Sequence, residues 1–346
     1  MDVLFVEAAR TEGLLQELLR ERAVFAAGGT DNGFHWQKLT DSSSASLAEG
    51  SYRSVEPIKT FFFPPRSVVA APGGTSPPLQ PAARPTVLAG AKACDLRALE
   101  ILDHVFAQGD FVDPFYVSRR ENTLIVASDC TEAGQSCFCT ALGIKPYPEE
   151  GYDLAVSRLS DGGLVVSVGS DKGEALVHAH ASCFRPATQE ELREREGSRE
   201  AMVQKLAGKV SSEGLPDPSV LTEAVKRNWD SEVWEKHAGS CVECGACNLV
   251  CATCHCFVLQ DYAASGGGNG RAVVWDSCQY KSFARVAGGA NPRGRLAQRI
   301  RNRFDKKFVF FPQTMGMHAC TGCGRCVEAC IAGIDIRDVL KEVASA

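Results

Sequence analysis

The sequence is short of several things, and each absence excludes a class of protein. No stretch reaches the roughly 18 uninterrupted apolar residues of a membrane-spanning helix. The opening run from Met1 to Glu7 has neither the basic start nor the long apolar middle of a secretory signal. Positive charge is in the minority, with 37 Lys and Arg against 42 Asp and Glu. The resulting field disfavours nucleic acid, which rewards surfaces that displace counterions. There is no G-x-G-x-x-G between a strand and a helix, no P-loop lysine, and no nucleophile accompanied by a base and an orienting group. These absences predict a soluble, cytoplasmic protein with no membrane span, no nucleic-acid partner and no visible motif for nicotinamide, flavin or nucleotide.

What the chain does have is cysteine, 16 among 346 residues. In a small secreted domain that would mean disulfides. This chain is long, carries no export signal and is 45% apolar, so it can bury its own core, and thiolates reserved for metal fit better.

At roughly 150 residues per domain the length predicts two domains. Leu14, Leu15, Leu18, Leu19 and Val24 recur at helical spacing over residues 11–24, and Phe34 and Trp36 alternate with polar neighbours after Gly33, as in a strand. Seven prolines between Pro64 and Pro85 predict a loop over 64–86. Thr86 to Ala91 and Thr123 to Ala127 read as strands, and the run from Asp95 to Phe106 as a helix. Residues 153–158 and 164–168 read as a hairpin around Asp161, Gly162 and Gly163. Thr188 and Glu191 form a capping box that opens a charged helix to about Leu206, and Trp229 and Trp234 fall on a further helical stretch ending near Gly239. Gly266 to Gly268 reads as a flexible turn. The expected fold class is α+β: a mixed α/β docking domain over residues 1–238, then an α-helical ferredoxin-like dicluster domain over 239–346.

Two segments carry the chemistry. Cys241, Cys244, Cys247 and Cys251, and again Cys320, Cys323, Cys326 and Cys330, follow C-x2-C-x2-C-x3-C, the bacterial ferredoxin spacing. Three closely spaced thiolates wrap one cubane, and the fourth, opening a short helix, points to the other cluster. The spacing therefore predicts two [4Fe–4S] clusters, one on Cys241, Cys244, Cys247 and Cys330, the other on Cys320, Cys323, Cys326 and Cys251. Gly245 and Gly324 follow the second cysteine in each copy, where a missing side chain would let backbone N–H groups approach cluster sulfur. Compact ferredoxins place proline after the fourth cysteine, whereas this chain has Ala252 and Ile331. A four-thiolate zinc site also uses C-x2-C pairs and is the alternative reading.

Other cysteines form looser groups. Cys130, Cys137 and Cys139, with Cys94 at a helix N-terminus that favours a thiolate, are candidates for a third cluster, and buried apolar packing is the alternative. Cys254 and Cys256 around His255, with Cys278, form a second candidate metal group, and Cys183 reads as core. Arg293, Arg295, Arg299, Arg301, Arg303, Lys306 and Lys307, against Asp305, make a basic run. It is either a solvated helix face or a source of charge opposite thiolate-bound clusters or an acidic partner.

Taken with both cysteine motifs, the blocks Ala91 to Arg97, Cys137 to Cys139, Cys251 to Phe257, Trp275 to Cys278 and the basic stretch from Ala287 to Phe308 carry a family likeness. They resemble the family of iron–sulfur electron-transfer subunits found in anaerobic sulfite reductase and, as the beta subunit, in sulfhydrogenase. The blocks span roughly residues 90–340, the first 85 residues match only loosely, and the two absent prolines depart from the usual pattern. The resemblance implies an electron-transfer subunit placed between a catalytic redox subunit and a flavin-containing, NAD(P)H-oxidising one. That catalytic partner would be a sulfite reductase, a hydrogenase or a heterodisulfide-reductase-like assembly. Two other readings stay open: a self-contained iron–sulfur reductase with substrate or flavin in the N-terminal domain, and a zinc-stabilised interaction protein.

Overall fold

A computed structural model of the protein describes residues 3–40, 47, 50–72, 85–264 and 267–346. The chain opens with β1 (Leu4–Val6), α1 (Ala8–Glu21), β2 (Ala23–Thr30) and β3 (Gly33–Lys38). Next come α2 (Lys59–Phe62), β4 (Arg66–Ala70), β5 (Thr86–Ala91), α3 (Ala93–Phe106), α4 (Pro114–Glu121) and β6 (Thr123–Ser128). The expected hairpin, β7 (Leu154–Arg158) and β8 (Leu164–Val168), is followed by α5 (Asp171–Ala179), β9 (Arg185–Pro186) and α6 (Gln189–Ser212).

Eight of these strands form one mixed sheet in the order β3-β2-β5-β6-β7-β8-β1-β9, and β2, β5, β6 and β7 at its centre run parallel. Every residue of β5 and β6 is buried, as parallel strands covered on both faces require. Alternate side chains serve the two faces. Val87, Ala89, Leu124 and Val126 pack with Leu14, Leu15 and Leu18 of α1, whereas Leu88, Ile125 and Ala127 pack with Leu96, Leu99 and Leu102 of α3.

The remaining elements are α7 (Pro218–Arg227), α8 (Val233–Ser240), α9 (Ala246–Leu249), β10 (Phe257–Ala263), β11 (Asn269–Trp275) and α10 (Leu296–Asp305). A π-helical turn over Lys306–Phe310 then leads through α11 (Phe311–Met315) and α12 (Arg325–Glu328) to α13 (Ile336–Ser345). In α13, Ile336, Val339, Leu340 and Val343 share one buried stripe, and each such side chain stabilises by roughly 1.5–3 kcal/mol. They join Leu221 and Val225 of α7, Trp234 of α8, and Ile300 and Phe304 of α10 in one core. This core spans residue 239, and so does the small sheet β10-β11-β4. Among the described residues no helix is long and apolar enough to cross a membrane.

Several expectations need correction. Within 64–86 the run Arg66–Ala70 is strand β4, an edge strand paired only with β11. Pro64, Pro65 and Pro72 flank that run without interrupting it, and edge positions tolerate nearby proline. Residues 73–84 lie outside the described residues, as does Gly266. The stretch between the cysteine motifs, read as including helical patterns, holds α10 and α11 but begins with the hairpin β10–β11. The capping box at Thr188 and Glu191 is present, but its helix runs on to Ser212. Trp229 lies between α7 and α8, not on a helix, and Val24 belongs to β2.

Candidate metal centre

The two cysteine motifs fold into near-identical loops. Gly245 and Gly324 have the same backbone angles, φ +74 and ψ −6, and each opens a one-turn helix, α9 or α12. Those two helices pack against each other. Two positions earlier in sequence the copies match again, with Glu243 at φ +57 and Gly322 at φ +60. Glu243 is the only non-glycine residue with positive φ among the described residues. The glycines are also needed for space. A side-chain carbon at Gly245 would meet the Tyr280 ring at 2.7 Å, and one at Gly322 would meet the Cys139 backbone at 2.6 Å. At Gly324 it would overlap Ser136. Close packing at a left-handed turn thus accounts for these glycines.

Cys241, Cys244, Cys247 and Cys330 line one apolar cavity together with Cys326, Phe304 and Ile336. Cys241 interacts electrostatically with Cys330 and Cys244. The other set is likewise linked: Cys320 interacts electrostatically with Cys326 and Cys251, and Cys326 with Cys251 and Cys323. The fourth cysteine of each motif is therefore a neighbour of the other motif's thiols. Burial pushes Cys247 and Cys320 up to about 12, so a bound metal or a buried cation is needed to hold them as thiolates. Cys251 goes the other way. A hydrogen bond from Cys254 and the charges of Lys307 and Arg303 hold it well below the usual thiol range.

Cys94, Cys130, Cys137 and Cys139 also come together, just past the carboxyl ends of β5 and β6. Cys130 neighbours Cys94 and Cys137, and Cys139 neighbours Cys130 and Cys137. Such strand ends are where open α/β sheets bind ligands. Cys323 of the second motif adjoins this group. The helix N-terminus at Cys94 does not deliver the expected thiolate, because burial and the adjacent Asp95 push its thiol well up.

Cys254 and Cys278 meet at Asn248, and Cys256 lies beside Cys278. Asn248 Nδ2 donates to Cys278 Sγ at 3.1 Å, and Cys254 Sγ lies 3.7 Å from Asn248 Oδ1. Burial pushes His255 down to about 4, and its ring packs edge-on against Phe106 and Phe311. Cys183 packs half-buried against the core under the main sheet. Among the described residues no three His, Cys, Asp or Glu side chains close to the span of a single ion's ligand shell, the motif cysteines included.

The basic run divides between the two readings given for it. Arg299, Arg303 and Lys307, four residues apart, are buried, whereas Arg295 and Lys306 are exposed. Lys307 Nζ donates to Cys251 Sγ at 3.2 Å, Thr253 Oγ1 at 2.7 Å and the Ala319 carbonyl at 3.0 Å. Arg303 donates to Asn248 Oδ1 at 2.9 Å, and Cys326, Cys247 and Cys251 raise its affinity for the proton against the cost of burial. Lys59 donates to the carbonyls of Asn248 and Cys254 and lies over the Trp275 ring. Among the described residues, none of Lys59, Arg303 and Lys307 has a carboxylate within ion-pair distance. An uncompensated buried charge costs several kcal/mol, so the counter-charge to Arg303 and Lys307 belongs to the cysteine sulfurs, which raise their hold on the proton, whereas at Lys59 burial prevails and lowers it. An anionic, thiolate-ligated group fits this donor set.

Sequence reasoning passed over the N-terminal members of this shell. Arg53 donates to the Cys323 carbonyl at 2.7 Å, and buried Lys92 donates to Gly50, Ser128 and Asp129 beside Cys130. Arg325 in the second motif pairs with Asp95 of α3 at 2.8 Å, both buried. Lys92 and Asp95 at least sit inside the Ala91 to Arg97 block, but nothing local marks Arg53 or Lys59.

Residues 240–334 match the family described as 4Fe-4S dicluster domain. Over 291 residues the chain is 35% identical to sulfhydrogenase 2 subunit beta of Pyrococcus furiosus, covering 84% of each chain. The family is an iron–sulfur one, and the zinc alternative falls with it.

Proposed function

As this chain belongs to the family of the sulfhydrogenase beta subunit, an iron–sulfur electron-transfer family, we propose that it relays electrons between a catalytic redox subunit and a flavin/NAD(P)H-type reductase subunit. The catalytic partner is of the sulfite reductase, hydrogenase or heterodisulfide-reductase-like class. In this reading Cys241, Cys244, Cys247 and Cys330 hold one [4Fe–4S] cluster, and Cys320, Cys323, Cys326 and Cys251 hold the second. Each cluster, when bound, takes up and gives back a single electron. The chain's own part is to fix the sulfurs, half-bury seven of the eight cysteines while Cys244 stays exposed, and supply Lys307 and Arg303 as counter-charge. The observation that carries the reading is that the fourth cysteine of each motif lies among the other motif's thiols.

Cys94, Cys130, Cys137 and Cys139 would hold a third cluster next to Cys323, which extends the path into the α/β region. Cys254, Cys256 and Cys278 are the weaker candidate metal group, since Asn248 already hydrogen-bonds two of the three sulfurs, those of Cys254 and Cys278.

The double variant Cys241→Ser/Cys330→Ser tests the crossed assignment. If the two residues share a cluster, anaerobically prepared protein loses about four iron atoms per chain and keeps the other motif cluster's paramagnetic signal on reduction. If each motif holds its own cluster, both signals are damaged, and the assignment is wrong.

One observation favours the self-contained reductase as a second reading. A polar cavity lined by Ser128, Asp129, Cys130, Ser157 and Arg199 opens at the carboxyl ends of β6 and β7, where a small substrate would sit beside Cys130. Turnover of a substrate by the purified chain with an artificial electron donor would support it.

A further inference from the structure

Of the 16 cysteines, Cys244 is the only one exposed, so the first motif is where the cysteine network reaches the surface. The residues next to it are apolar and exposed. Val242 is 59% exposed, and Ile331, which stands where compact ferredoxins carry proline, is 78% exposed. Both line the cavity shared by Cys241, Cys244, Cys247 and Cys330.

The adjoining loop is positively charged. Tyr280 packs over Gly245, and the chain then runs outward through exposed Lys281, Arg285 and Val286. Asn291 ties this loop to the Lys281 carbonyl at 2.8 Å. Arg299 links its far end to the motif, donating to the carbonyls of Arg293 and Gly294 and to Glu243 Oε2 at 2.7 Å. Among the described residues neither Lys281 nor Arg285 has a carboxylate within ion-pair distance. A chain of net charge −5 thus presents unpaired positive charge on the loop that leaves from Tyr280, whose ring packs over Gly245, the residue after its most accessible cysteine.

An apolar centre with a charged rim is the layout of a transient protein–protein contact, in which the rim steers encounter and the centre brings the partners close. We propose that the face formed by Val242, Cys244, Ile331, Lys281 and Arg285 is the docking surface for an acidic electron-transfer protein. This rests on the electron-relay reading and adds the port and the charge of the partner.

The test uses the full anaerobically prepared chain and two reductants: reduced flavodoxin as an acidic protein probe, and photoreduced deazaflavin as a small one. Flavodoxin should reduce the chain at a second-order rate that falls as salt rises. The variant Lys281→Glu/Arg285→Glu should slow that reaction about tenfold or more at low ionic strength and abolish its salt dependence. Val242→Ser/Ile331→Ser should slow it at every salt concentration relative to the same variant's deazaflavin rate, and the deazaflavin reaction should be unchanged in the Lys281→Glu/Arg285→Glu variant. A flavodoxin rate indifferent to the charge reversal, with deazaflavin reduction intact, overturns the docking surface and leaves the relay reading standing. A chain that neither reagent reduces overturns the relay reading, and the docking surface with it. Concentration-dependent dimerisation that the Val242→Ser/Ile331→Ser variant abolishes would show a second copy of the chain on this face and overturn the acidic partner.

Discussion

The buried cations are the residues whose roles bear most directly on electron transfer. Lys307 is buried, and Cys251 Sγ is the only titratable atom among its hydrogen-bond partners. A positive charge and an N–H donor at a ligating sulfur favour the reduced, more negative state of a cluster, so they raise its potential. Lys307→Met should lower the potential of one motif cluster, and a redox titration followed by paramagnetic resonance should show the other unmoved. An unshifted pair of potentials would mean that Lys307 only fills space. The π turn over Lys306–Phe310 has a plain use here, since it lets Lys307 and Phe308 both face inward. Such turns are frequent at functional sites.

Among the elements, α6 links local sequence to the metal region. Its N-terminus is set by Thr188 and Glu191, and near its C-terminus Lys209 Nζ donates to the carbonyls of Gly134, Gln135 and Cys137 at 3.1, 2.6 and 2.9 Å. Arg185 first, and then the capping hydrogen bonds, hold the Glu191 carboxyl down at about 2, below its ordinary 4.5. A carboxylate with a lowered folded-state value adds stability at pH above the ordinary value and loses it as pH falls toward the lowered one. The gap in denaturant midpoint between wild type and Glu191→Gln should therefore be full at neutral pH and close between pH 4.5 and about 2. Thr188→Ala should cost about 1 kcal/mol at neutral pH in the same assay. A pH-independent gap would show that the carboxylate charge contributes nothing. The capping box could be read from sequence because both its partners are local. The edge strand β4 could not, since five residues among prolines look like a loop until β11, some 200 positions later, supplies their hydrogen bonds.

At the scale of the whole molecule, the α/β region and the second cysteine motif are joined by a seam that is buried at Arg325 and Asp95 and open at Glu328. Arg325 pairs with Asp95 at 2.8 Å, Arg53 pairs with Glu328 at 2.6 Å, and Phe138 N donates to the Gly322 carbonyl at 2.8 Å. Removing one partner of a buried ion pair costs about 3–5 kcal/mol, because the other is left charged and unsolvated. Arg325→Ala should lose stability on that scale in guanidinium unfolding, and replacing both partners by Asp95→Leu/Arg325→Met should recover part of it. A loss below about 1 kcal/mol would show the seam to be a surface-like contact.

The eight motif cysteines, the central strands and the apolar stripes of the helices were legible in the sequence, because each depends on spacing within one short segment. Cys94, Cys130, Cys137 and Cys139 were legible as candidates, but their meeting at the ends of β5 and β6 follows from parallel pairing across distant segments. Arg53 and Lys59 come from the region of weakest resemblance and have no local pattern at all, whereas Lys92 sits inside the Ala91 to Arg97 block. Sequence alone thus marked which sulfurs are candidates to bind metal, since ligand chemistry and spacing are written residue by residue. Only the tertiary structure decided which sulfurs are neighbours, which cations face them and which cysteine meets solvent, because burial and charge pairing are set by contacts between remote parts of the chain.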